Sequence, residues 1–267
     1  MSGSSREAAG SFSVAVDGGA IPLVVRGAGT SALIFLHGWS LDHRIWLPQL
    51  RDDALADHHR LIAIDRRGFG VATAPPDLGR EPDDLIAVLD RLSIERAVLI
   101  GQSQAGRVAL QFALDHHDRL AGLVLVGAPV AGFHLPASEE DVPVERYRAL
   151  VAAGSIEAMR RAWEAHPMVA DTPAAAAILA DYDGRDLLAP PPPAGPDIAR
   201  IGTIEAPALV VTGERDTQWR RSVGDAAARA LPRGRRAELA DAGHLCNADA
   251  PQAFNMLLAD FIRSAGL

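Results

Sequence analysis

Hydrophobic and polar positions along the chain follow two rhythms. Apolar runs of strand length recur at Phe12–Val16, Ile21–Arg26, Ala32–Leu36, Leu61–Ile64, Ala97–Ile100, Leu123–Val126 and Ala208–Thr212, with a mixed run at Arg236–Ala240. Between them, apolar residues three and four apart predict helices over Ile45–Leu55, Pro82–Leu92, Gln104–Asp115, Val223–Leu231 and Pro251–Arg263. Pro82 and Pro251 stand in first turns, where the N–H that proline lacks has no intrahelical partner anyway. Strands alternating with helices predict an α/β protein, with a mostly parallel central sheet covered by helices on both faces.

The alternation breaks once, over residues 130–200. Helical spacing continues there at Val142–Ala153, Ser155–His166 and Pro173–Asp181, followed by the stiff stretch "APPPPAGP" at Ala189–Pro196. We read this segment as a small helical cap inserted between two core strands. The core is then residues 1–129 and 201–267, with the small polar residues 1–11 a flexible tail. The alternative is a small second domain with no part in a site. The chain carries no internal repeat.

Composition narrows the function classes. At 267 residues the chain can bury a full core. With 34 acidic against 26 basic residues, a formal charge of −8, it does not carry the basic footprint of a nucleic-acid binder. The uncharged stretch Leu120–Ser138 is broken by Pro129, His134 and Pro136, so we expect a buried strand and a loop there and no membrane span. One cysteine, Cys246, permits no intrachain disulfide. The first thirty residues lack a charged start followed by a sustained apolar core. Together these predict a cytoplasmic protein without nucleic-acid or membrane partners; the oligomeric state is left open.

"LIGQSQAGRV", Leu99–Val108, raises two chemistries. Gly101 and Gly106 have the spacing of a phosphate-cradling loop, but that loop needs Lys and then Ser or Thr where this chain has Arg107 and Val108. The other reading is a nucleophile elbow, with a strand ending at Gly101, Ser103 on a tight turn, small residues Ala105 and Gly106 around it, and a helix beginning directly after. A serine needs a general base, and the base an orienting acid. "VVTGERD" places Asp216 just beyond one strand and "ELADAGHLCN" places His244 just beyond another, at the sheet edge where α/β chemistry collects. The order Ser103, Asp216, His244 gives nucleophile, acid and base. "VGAPV", Val126–Val130, offers no carboxylate beyond the intervening strand, so the nearest substitutes for Asp216 are Glu139, Glu140 and Asp141.

Other signals lead elsewhere. "GFG" at Gly68–Gly70 lacks the later glycine and helix start of a dinucleotide loop. His58–His59 and His116–His117 lack partners at metal-ligand spacing and fit helix ends. Cys246 fits a small buried filler, and Arg233, Arg235 and Arg236 fit a solvated turn. No metal or organic cofactor is expected.

With "LIFLHGW", "DRRGFG", "LIGQSQAG", "VVTGERD" and "AGH", the chain from about Phe12 to Leu267 resembles the α/β-hydrolase superfamily, in its compact cap-bearing branch of serine esterases and lactonases. Its elbow departs from the usual Gly-x-Ser-x-Gly only in having Ala105 at the fifth place. The resemblance implies an oxyanion hole from the backbone N–H groups of Trp39 and Gln104, with His37 as a prop for that loop. It implies hydrolysis of a small carboxylic ester or lactone through an acyl-enzyme on Ser103. A carbon–carbon bond hydrolase using the same three residues, or a slow hydrolase-like receptor, stays open. Trp39, Phe133, Trp163 and Met168 are the candidate substrate-lining residues.

Overall fold

The computed structural model describes residues 10–133 and 142–267. Eight strands form one sheet: β1 (Gly10–Val16), β2 (Gly19–Arg26), β3 (Ser31–Leu36), β4 (His59–Ile64), β5 (Ala97–Gln102), β6 (Leu120–Val126), β7 (Ala208–Gly213) and β8 (Gly234–Leu239). Their spatial order is β1-β2-β4-β3-β5-β6-β7-β8. β2 pairs antiparallel with β1 and β4, and every later pairing is parallel. The central strands are buried on both faces, which is why they are unbroken apolar runs.

Alternate side chains feed two cores. Leu33, Phe35, Val98 and Ile100 point into one, and Ile34, Leu36, Leu99 and Leu123 into the other. The first is covered by α1 (Leu47–Leu50), α2 (Asp53–Ala56), α9 (Cys246–Asp249) and α10 (Pro251–Ala265). The second is covered by α3 (Glu81–Arg91), α4 (Gln104–Asp115) and α8 (Gln218–Ala230). A small helical insertion, α5 (Val144–Ala152), α6 (Ile156–Glu164) and α7 (Pro173–Leu179), lies between β6 and β7 and packs onto the first core through Tyr147, Met159, Trp163 and Ile178. Its entry and exit meet: Ala131 and Asp197 form a bridge, with Ala131 N–H to Pro196 O at 3.1 Å and Ile198 N–H to Ala131 O at 3.0 Å. Among the described residues, no helix is long and apolar enough to cross a membrane.

Four local expectations need correction. The single helix expected over Ile45–Leu55 is a 3-10 turn at His43–Trp46 followed by α1 and α2, because the Asp52 carboxylate accepts the Leu55 N–H at 2.9 Å and starts a new turn. α8 begins at Gln218, ahead of the apolar Val223, with the Thr217 hydroxyl capping Arg220 N–H. Gly10 and Ser11 belong to β1 and not to a tail, since backbone pairing opposite Val25 and Val24 asks nothing of their side chains. Arg235 and Arg236 lie in β8 and not in a solvated turn; Arg235 meets Asp260 and Ser264, and Arg236 meets Asp225 and Thr212.

Candidate active site

β5 delivers its buried chain directly into Ser103, which sits at φ 48°, ψ −121° as the residue before α4. Left-handed φ costs a non-glycine residue energy and persists only where the surroundings enforce it. Here the Ser103 N–H is held by Val126 O at 2.7 Å, and Ser103 O accepts the Gly106 N–H at 2.8 Å. The small neighbours are a steric requirement. A Cβ on Gly101 would stand 2.8 Å from Ala105 O, and one on Gly106 would stand 2.2 Å from Ala128 Cβ. Ala105, which stands where glycine is usual, is fully buried on the first turn of α4.

Asp216 follows β7 and His244 follows β8, and the structure brings the two together. His244 Nδ1 lies 3.1 and 3.0 Å from the two Asp216 oxygens. Asp216 also accepts the Thr217 N–H at 2.7 Å. With Nδ1–H donated to the carboxylate, Nε2 is left as the basic nitrogen. That nitrogen is buried and makes no hydrogen bond among the described residues, while Ser103 and His244 line one cavity. Gly127, which the sequence reading missed, makes the approach possible. At φ +56° a Cβ there would meet His244 Cε1 at 2.8 Å and Nδ1 at 2.9 Å. Glu139, Glu140 and Asp141 lie outside the described residues.

The loop after β3 is fixed from below. His37 Nδ1 donates to Gly38 O at 2.8 Å, and Nε2 accepts the Arg66 N–H at 3.0 Å. Burial, helped by the Arg66 charge, lowers the His37 pKa to about 4, so the imidazole is a neutral prop. Arg66 reaches His37 O at 2.9 Å, the Gln104 side chain at 3.1 Å and Glu81 at 2.6 Å, joining this loop to α3 and α4. The Gly38 N–H is held by Gln102 Oε1 at 3.0 Å, and Gln102 is held in turn by Asn247 at 3.2 Å. With Gly38 so held, the Trp39 N–H takes part in no hydrogen bond among the described residues, and the Gln104 N–H is one of the free donors of a helix start. "DRR" hid these arginines: adjacent charges look solvated, yet Arg66 and Arg67 are both 1% exposed, closed onto Glu81 and Asp84 of α3.

The cavity at Ser103 encloses about 190 Å³. Trp39, Trp163 and Met168 line it as expected, together with Leu41, Pro129, Val169, Arg220 and Leu245. Phe133 does not; it packs against the core on the opposite face of the sheet. Trp39 joins the loop to the insertion: its indole donates to Asp186 at 2.7 Å, and Asp186 also accepts the Tyr182 hydroxyl at 2.6 Å. Trp163 donates to the Ser40 hydroxyl at 2.7 Å, which donates to Trp39 O at 2.6 Å. Asp42, His43 and Asp65 have ligand atoms within 4.8 Å of one another, but Asp65 holds His43 and the Val71 N–H while Asp42 holds Arg44. Cys246 is fully buried in the first core, with its thiol pushed well above its ordinary pKa by burial. His116 and His117 follow α4 as expected, whereas His59 opens β4 and meets the Ser31 hydroxyl.

A sheet of this order, a strained serine between its central strand and a helix, and an aspartate–histidine pair beyond the next strands define the α/β-hydrolase architecture. Residues 33–257 match the model of the alpha/beta hydrolase family, and the chain belongs to that family. It is 30% identical over 257 residues to the 2-hydroxy-6-oxononadienedioate/2-hydroxy-6-oxononatrienedioate hydrolase of Paraburkholderia phymatum, covering 88% of each chain. Among solved structures, a Rhodococcus esterase is similar at 26% identity and a TM-score of 0.76, covering 96% of this chain and 99% of that one. An N-acyl homoserine lactone degrading enzyme is similar at 27% identity and a TM-score of 0.68, covering 94% of this chain and 100% of that one.

Proposed function

We propose that the protein hydrolyses a small carboxylic ester or lactone through an acyl-enzyme on Ser103. The observation that carries this reading is His244 Nε2, buried and unpartnered in the cavity that Ser103 lines, with Nδ1 held by Asp216. Catalytic hydrogen bonds of this kind often tighten only when substrate is bound. As the Ser103 oxygen bonds to the carbonyl carbon, its proton passes to His244 Nε2, and Asp216 stabilises the imidazolium. The carbonyl oxygen takes the negative charge and is met by the N–H groups of Trp39 and Gln104, each such donor typically worth about 3–4 kcal/mol. Collapse breaks the carbon–oxygen bond of the alcohol, which leaves with the proton from His244. Water then gives a proton to His244 as it attacks the acyl carbon, and Ser103 recovers its proton as the acid leaves.

A second reading, hydrolysis of a carbon–carbon bond beside a ketone, draws support from the 30% identical relative, whose name describes the hydrolysis of such dioates. One experiment separates them. A phosphonate that mimics the tetrahedral intermediate should label Ser103, and the protein should turn over a short aryl ester many times. Labelling with ester turnover far slower than that of a vinylogous diketone would favour the second reading. No adduct on Ser103 in folded protein would refute both.

A further inference from the structure

A second chamber adjoins the cavity at Ser103. Trp39, Gln104, Arg107 and Val144 line both, and the second, of about 180 Å³, reaches under the proline-rich connector. The charges facing this chamber are mostly answered within the protein. Arg67 closes on Asp84 at 2.6 Å, and Glu81 on Arg66 at 2.6 Å. Asp77 faces the Gly79 N–H and Arg80, and Asp186 takes the Trp39 and Tyr182 donors. Among the described residues, two cations of this chamber are answered less fully. Arg148 gives one bond to Ala189 O at 3.0 Å and, among the described residues, otherwise meets Glu145, an exposed side chain 3.7 Å away. Arg107 bonds the Pro193 carbonyl and, among the described residues, has no carboxylate within 4.0 Å.

Arg107 is half-buried and stands on the wall between the chambers. It lies one helical turn beyond Ser103, and its guanidinium reaches the Pro193 carbonyl of the connector that roofs the second chamber. A guanidinium keeps its charge in such a place, and its planar fork matches a carboxylate. Burial and the nearby Arg66 charge both press against its protonated form, which an incoming anion would relieve. The chamber's other walls include Phe69, Pro76, Leu78 and Leu187, surfaces for a hydrocarbon chain.

We infer that Arg107, assisted by Arg148, receives a free carboxylate of the substrate, so that the preferred ester or lactone carries an acid group remote from the bond that is cut. This rests on the ester or lactone reading above and adds the substrate class to it.

Binding can be measured apart from chemistry. Monomethyl esters of succinate, glutarate and adipate, and the corresponding neutral dimethyl esters, are titrated into the Ser103→Ala protein, following tryptophan fluorescence. The acid-bearing ester should bind at least tenfold tighter than its neutral partner at the best spacer length, with the advantage shrinking as salt rises. Adding Arg107→Gln should reduce that ratio to about one, Arg107→Lys should restore part of it, and Arg148→Gln should lower it less. Equal affinity for acid and neutral esters at every length, or a preference that survives Arg107→Gln, would overturn the inference. Phosphonate labelling of wild-type protein judges the ester reading separately: labelled protein without an acid preference loses only the Arg107 assignment.

Discussion

Gly127→Ala is the sharpest test of how the His244–Asp216 pair is placed. The added methyl would stand 2.8 Å from His244 Cε1, where ordinary contact begins at 3.4 Å, so the ring or the backbone must move by about 0.6 Å (3.4 − 2.8). A misplacement of about 1 Å in a reacting group can cost roughly 100-fold, so we expect kcat/KM for an aryl ester to fall about 10- to 100-fold. The left-handed φ of +56° adds a separate stability cost of about 1–2 kcal/mol, or roughly 2–8 °C in Tm. Gly154→Ala separates the two effects. It shares the left-handed φ, at +72°, but its Cβ would meet nothing within 4 Å. Both variants should melt earlier, and only Gly127→Ala should slow phosphonate labelling of Ser103. If Gly127→Ala labels and turns over like wild type while melting like Gly154→Ala, the close approach of residue 127 to the imidazole has no part in the chemistry.

Ser103→Ala should keep its circular dichroism spectrum and lose nearly all esterase activity, while Asp216→Asn, by favouring the wrong imidazole tautomer, should lose up to about 10⁴-fold in kcat. His37 predicts an acid-sensitive fold: the unfolded imidazole takes a proton near 6.5 but the buried one only near about 4, so between these values the unfolded chain binds more protons. Stability should therefore fall as pH drops through that window, by up to about 3 kcal/mol, and urea titrations at pH 7 and 5 should show a shallower fall in His37→Gln. Asp186→Ala strands the Trp39 and Tyr182 donors and should cost about 1–3 kcal/mol, read by thermal melting, together with a loss of kcat as the Trp39 loop loosens.

Those residues also show what the sequence made legible. β5, Ser103 and α4 were readable because the whole signal is local: a buried strand, small residues at fixed spacing and an apolar helix face. Asp216 and His244 were readable from their positions after strands, although only the fold shows the imidazole against both carboxylate oxygens. Gly127 was silent, because its reason is an imidazole arriving from a distant loop. Arg66 and Arg67 were hidden for a similar reason: their partners lie on α3, and nothing in "DRR" distinguishes buried cations from solvated ones. Trp163 and Met168 reach the cavity while Phe133 does not, because the path of the inserted segment depends on tertiary packing that periodicity does not encode. α1 and α2 were merged because hydrophobic spacing runs on across the turn that Asp52 restarts.

The clasp at Ala131 and Asp197 has an evolutionary consequence. Because the two ends of the inserted segment leave the sheet side by side, the strands are joined through a closed neck, although the helices beyond it also pack onto the first core. Doubling the length of a closed flexible loop costs only about 0.6 kcal/mol, so the neck tolerates inserts of different size. Ser103, Asp216 and His244 lie on the sheet side of the neck, and Trp163 and Met168 on the other. A lineage built on this plan can change the length of the hanging segment without rethreading the sheet, provided the contacts of Asp186 with Trp39 and of Trp163 with Ser40 are kept or replaced. Part of the cavity wall, Trp163 and Met168, is thus carried on a piece of chain apart from Ser103, Asp216 and His244, while Trp39 and Arg107 stay with the sheet.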